Sequence, residues 1–96
     1  VITIASRHSC RIQAFGTVQG VGFRYGTLFL AKKLDITGTV ENLPDESVLI
    51  LAQGSEDALL TFIARLEKGP TRAANVTHLV ISWENGSVST TDFTII

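Results

Sequence analysis

The sequence predicts an α+β sandwich, an antiparallel sheet with two helices on one face and a short C-terminal strand. Three observations predict it. The chain has 96 residues, the size of one domain. Its apolar spacing switches in the order strand, helix, strand, strand, helix, strand. A short polar turn joins the two middle strands, which makes them a hairpin. This β-α-β-β-α-β order is the split βαβ, or ferredoxin-like, plan.

Each element has its own signal. Residues 1–10 start apolar and turn polar, and read as a loose leader to a single domain over 11–96. Arg11 to Val18 carries Ile12, Ala14, Phe15 and Val18, and reads as a strand. Phe23, Thr27, Leu30, Ala31 and Leu34 then stand at i, i+4, i+7, i+8 and i+11, one face of a helix. Lys32 and Lys33 fall in its last turn, where cations complement the dipole. Gly26 lies inside that helix at a cost of about 1 kcal/mol against Ala, which points to close packing against a strand. "TGTVEN", Thr37 to Asn42, is a short strand, and Pro44 with Asp45 marks a turn. "VLILA", Val48 to Ala52, is a continuous apolar run of the kind a central strand shows. Ser55 caps a second helix whose apolar line is Ala58, Phe62 and Leu66, helped by Leu59 and Ile63, and Gly69 with Pro70 stops it. Val76 to Trp83 alternates as a strand, "ENGS" is a turn, and Phe93 to Ile96 is a final short strand.

Composition narrows the function. The hydrophobic fraction of 45% and charged fraction of 18% are those of an ordinary globular protein. A net charge of −1 argues against nucleic acid or an anionic membrane as partner. Cys10 is the single cysteine, so no internal disulfide and no zinc site is expected, only a free thiol in a reducing cytoplasm. No apolar run approaches the roughly 18 residues a membrane helix needs. "VITIA" lacks the basic flank of a signal peptide. A cytoplasmic monomer is the expectation.

The stretch "GTVQGVGFR", Gly16 to Arg24, holds three glycines where a strand hands over to a helix. The first N–H groups of a helix lack intrahelical partners, and the dipole there favours negative charge. Glycines let such groups converge. Arg24 is disfavoured in the first turn of an empty helix, and a bound anion reverses that sign. Its planar fork matches phosphate or carboxylate oxygens. Spacing alone leaves two readings open, an anion site and a tight structural turn. It is neither a Walker A loop nor a dinucleotide fingerprint.

"GTVQGVGFR" followed by "AKKLDITGTVEN", with "LPD", the Gly69–Pro70 pair and "DFTI", resembles the acylphosphatase family over residues 10–96. The resemblance implies a ferredoxin-like fold and hydrolysis of acyl phosphates to a carboxylate and inorganic phosphate, with no cofactor or metal. It implies that Arg24 binds the phosphate and that Asn42 orients the attacking water. The cradling backbone maps onto Gln19, Gly20, Val21, Gly22, Phe23 and Arg24. Thr27 lies one turn after Phe23 and has two readings, a half-buried helix residue or a hydrogen-bonding support for Asn42. The chain departs from the family at two positions. Asp35 and Glu46 stand where glycines are usual, and a left-handed backbone at Glu46 would strain the turn.

The rival readings are weaker. His8 and His78 are expected in surface or structural roles, and Trp83 as an edge or core aromatic. An RNA-binding ferredoxin-like module needs aromatics on its central strands, and "SVLILAQG" has none. A non-catalytic acylphosphatase-like domain, of the kind found in larger maturation enzymes that handle carbamoyl phosphate, would keep both Arg24 and Asn42. Sequence does not separate it from the enzyme.

Overall fold

A computed structural model describes residues 7–84 and 91–96. The elements run β1 (His8–Thr17), α1 (Phe23–Lys33), β2 (Thr37–Asn42), β3 (Val48–Gly54), α2 (Glu56–Lys68), β4 (Asn75–Glu84) and β5 (Phe93–Ile95). The described strands form one sheet in the order β4-β1-β3-β2-β5. Its first four strands pair antiparallel. The short C-terminal strand β5 joins this antiparallel sheet at one edge, pairing parallel with β2. Its three residues take hydrogen-bonding positions that β2 leaves free, and Ile96 N–H donates to the Val40 carbonyl at 2.9 Å.

Register explains the core. Cys10, Ile12 and Ala14 lie opposite Ala52, Ile50 and Val48, and Val40 lies opposite Ile50 from the other side. Residues directly opposite share a face, so these side chains make one apolar layer. All of them are buried. Phe23, Thr27 and Ala31 of α1, and Leu59, Phe62, Ile63 and Leu66 of α2, close over the layer. Each large apolar side chain fully buried there contributes about 1.5–3 kcal/mol. The continuous run in β3 is covered on this face alone, since Leu51 on the opposite face is 44% exposed.

The helix ends follow their signals. Ser55 Oγ accepts from the Ala58 N–H at 3.2 Å and caps α2. Asp35 takes the left-handed position after α1, with φ 58. Ile36 N–H donates to Ala31 and Asp35 N–H to Lys32, the paired bonds of a Schellman cap. The cap therefore forms without the usual glycine.

Two expectations change. β1 starts at His8 rather than Arg11, because Cys10 is buried between Ala52 and Trp83 and extends the ladder into residues read as leader. Gly26 packs on a loop and not a strand. A Cβ there would stand 2.8 Å from the Pro70 carbonyl oxygen. Residues 85–87 of the turn read at "ENGS", whose Glu84 ends β4, and the first six residues of the leader lie outside the described residues.

Candidate active site

The loop between β1 and α1 is pinned at both ends by buried side chains, Val18 and Phe23. Between them Gly20 (φ 75) and Gly22 (φ 74) adopt left-handed backbone, which costs glycine little and other residues more. Gly22 is the N-cap of α1 and offers no capping side chain, and the first turn holds no acid. The N–H groups of Phe23, Arg24 and Tyr25 therefore have no intrahelical carbonyl. Two side chains hold the loop from outside. Thr71 Oγ1 donates to the Val21 carbonyl at 2.9 Å. Gln19 Nε2 donates to the carbonyls of Leu43 and Ser47, each at 2.9 Å.

The facing wall is the β2–β3 hairpin. Asn42 ends β2 with its side chain exposed, opposite Val48. The turn after it closes with Leu43 N–H to the Ser47 carbonyl at 2.8 Å and Glu46 N–H to the Leu43 carbonyl at 3.1 Å. Glu46 adopts φ 73, the left-handed geometry expected to need glycine. Asp45 Oδ1 accepts from both the hydroxyl and the N–H of Ser47. These bonds hold the Asp45 carboxyl below its ordinary pKa. Ser47 is buried, and Gln13 Nε2 donates to its hydroxyl at 2.9 Å.

The two walls enclose a cleft of about 180 Å³ lined by Val18, Gly20, Gly22, Phe23, Arg24, Tyr25 and Asn42. Arg24 and Asn42, 18 positions apart, thus face one space together with the glycine loop. Gln19 and Val21 do not line it. The Gln19 amide and the Val21 carbonyl are engaged with the neighbouring segments instead. Of the two readings of Thr27, the support for Asn42 is not formed. Thr27 is fully buried under α1, and its Oγ1 has no hydrogen-bond partner among the described residues. Tyr25, 60% exposed, is a lining residue that sequence reasoning missed. The signal was present, an aromatic next to Arg24 on the polar side of the helical pattern.

Other chemistry-bearing groups lie elsewhere. Burial, followed by the nearby Glu84 charge, pushes the Cys10 thiol up to about 11, so it is a protonated core thiol at neutral pH. The His78 ring stacks on Phe15 with centroids 4.6 Å apart. A larger groove of about 440 Å³ between the helices is lined in part by Lys33, Arg65 and Lys68. These are the last-turn cations of α1 and α2, where they complement the dipoles.

Known proteins share this sequence pattern and fold. The acylphosphatase family model matches residues 10–95. The acylphosphatase of Staphylococcus haemolyticus is 48% identical over 82 residues, 85% of this chain and 91% of that one. The crystal structure of acylphosphatase from Bacillus subtilis superposes with a TM-score of 0.90 at 35% identity, covering 93% of this chain and 98% of that one. Full-length HypF, in its phosphate- and nucleotide-bound form, contains a similar unit. There the TM-score is 0.90 at 26% identity, over 98% of this chain and 12% of that one. The chain belongs to the acylphosphatase family, enzymes that hydrolyse acyl phosphates.

Proposed function

We propose that acyl phosphate hydrolysis takes place in the cleft between the glycine loop and Asn42. The observation that carries this reading is that Arg24 and Asn42, from separate elements, line one cleft with Gly20, Gly22 and the start of α1. Phosphoryl oxygens sit against the first-turn N–H groups and the Arg24 guanidinium. These donors are fixed before the reaction and face the charge that develops during it. Arg24, unfavourable at an empty helix N-terminus, becomes favourable once a dianion is bound.

Asn42 offers one acceptor and two donors, so it orients a water without taking up a proton. The water oxygen bonds to phosphorus. The P–O bond to the acyl group breaks, and its electron pair leaves on the carboxylate. The water protons pass to the phosphate product and to solvent. A carboxylate is a good leaving group, so positioning and electrostatics carry the step without a strong general base. In this reading the chain is a cytoplasmic monomer. Its partner at the cleft is the small acyl phosphate or the phosphate product, and no metal is needed.

Benzoyl phosphate hydrolysis by the purified chain, with and without chelator, tests the reading. Turnover unaffected by chelator is expected, and Arg24→Ala and Asn42→Ala should each lose on the order of 10²-fold in kcat, as other preorganised donors do. Wild-type turnover in a folded Arg24→Ala protein would remove the mechanism. The HypF similarity favours a second reading, in which the same cleft binds phosphate or carbamoyl phosphate without turnover. Phosphate binding with no hydrolysis by the wild type would put that reading ahead.

A further inference from the structure

We propose that Gln19 is a positioning residue, whose side-chain amide sets the separation between the phosphate-holding loop and Asn42. The inference rests on the reading of the cleft given above. The two walls of the cleft come from strands that are not neighbours. The loop follows β1 and Asn42 ends β2, with β3 between them in the sheet. No backbone ladder therefore joins the loop to Asn42 directly.

Gln19 makes the direct link. Its Nε2 donates to the Leu43 and Ser47 carbonyls at 2.9 Å each. Leu43 follows Asn42, and Ser47 precedes Val48, the cross-strand partner of Asn42. Both amide hydrogens thus go to the residues that close the hairpin immediately beyond Asn42. Carbonyl oxygens only accept, so the NH₂ group and not Oε1 faces them.

The hairpin does not need this link for its own closure. Leu43 N–H still bonds the Ser47 carbonyl, and Glu46 N–H the Leu43 carbonyl. Losing the Gln19 amide removes the inter-wall tie and leaves the turn paired. Thr71 holds the loop from the other flank, through the Val21 carbonyl. It belongs to the α2–β4 connection, and its hydroxyl bonds the loop and not the hairpin, so it does not set the distance to Asn42.

The consequence is a specific kinetic split. Phosphate affinity depends on the loop N–H groups and Arg24, whereas the Gln19 side-chain amide bonds the hairpin. Turnover depends also on where Asn42 holds the water relative to phosphorus, and small misplacements there are costly. Gln19→Leu removes both donors at similar length. It should lower kcat for benzoyl phosphate by about 10-fold, with KM and inhibition by inorganic phosphate changed less than about 3-fold.

A double-mutant cycle separates positioning from plain stabilisation. With Asn42→Ala in place there is no oriented water left to misplace, so adding Gln19→Leu should cost less than about 2-fold. Gln19→Asn keeps an amide but shortens its reach, and carries the same cycle if Gln19→Leu fails to fold. Two results overturn the inference while the cleft reading stands. One is wild-type kcat in the Gln19 variant beside an inactive Asn42→Ala protein. The other is an equal loss from the Gln19 change in both backgrounds. Wild-type kcat in Asn42→Ala would overturn the cleft reading as well.

Discussion

Gly20 and Glu46 hold nearly the same backbone angle on opposite walls of one cleft, φ 75 and φ 73. One wall uses glycine there and the other does not. Packing is not the reason at Gly20, where an added Cβ would meet no heavy atom within 4 Å. Gly20 lines the cleft and leaves its neighbouring N–H groups uncovered, which suits a site that a ligand approaches. At Glu46 the angle belongs to a turn that its hydrogen bonds over-determine. Leu43, Asp45 and Ser47 close it from within and Gln19 from outside. Strain at a non-glycine residue persists where the surroundings enforce it. The same angle is thus a functional geometry on one wall and a tolerated cost on the other.

Exchanging the residue types at these two positions is the strongest way to break the comparison. Gly20→Ala should lose about 1 kcal/mol of stability from the left-handed penalty. Its activity should fall further, by about 10-fold or more in kcat/KM, because the loop relaxes and its donors diverge. Denaturant midpoints and benzoyl phosphate kinetics on the same preparation measure both. An activity loss no larger than the stability loss explains would make Gly20 a structural glycine only. Glu46→Gly should do the reverse. It removes the strain and pays glycine's entropy, for a net gain of up to about 1 kcal/mol with kcat within about 2-fold of wild type. An unchanged or lowered denaturation midpoint would show that the turn has already absorbed the angle.

The comparison also marks what sequence could and could not reveal. The left-handed position at Glu46 was legible only through the family, which usually has glycine there, while the glycines at 20 and 22 marked a converging backbone without stating its angle. The helices were legible from Phe23 and Phe62 outward, since a 3.6-residue period fixes a buried face. Edges were not. His8 and Ser9 look polar and unpaired in isolation, and only the ladder to Gly54 and Gln53 makes them strand. The parallel pairing of β5 was hidden for the same reason, as three residues do not state their partner. At the cleft, Arg24 was singled out by its place in the first helical turn and Asn42 only through the family resemblance, and both line the cleft. Gln19 was placed in the cradle with its neighbours, but its role depends on Leu43 and Ser47, more than 20 positions away. At Thr27, helical phase had already set the side chain on the apolar face, and its burial there leaves the support for Asn42 unformed.

The smallest expected effect tests how firmly the Glu46 wall is held. Asp45 is exposed, and its carboxylate accepts from the Ser47 hydroxyl and N–H, which lowers its pKa in the folded chain. A group whose folded pKa is depressed stabilises the fold above its unfolded value. That stabilisation is lost as pH falls through the folded value. The ordinary value is 3.8, so the contribution is complete at neutral pH and disappears on acidification below about that point. Asp45→Asn keeps the shape and one acceptor but removes the charge. Its denaturation midpoint should lie below wild type at pH 7, and the gap should narrow as pH drops through 4 toward 2.5, a trend that exposure and salt keep small. A gap that stays constant with pH would mean that the Asp45 bonds to Ser47 act by geometry alone. The tolerance of Glu46 would then rest on the backbone bonds of the turn and on Gln19.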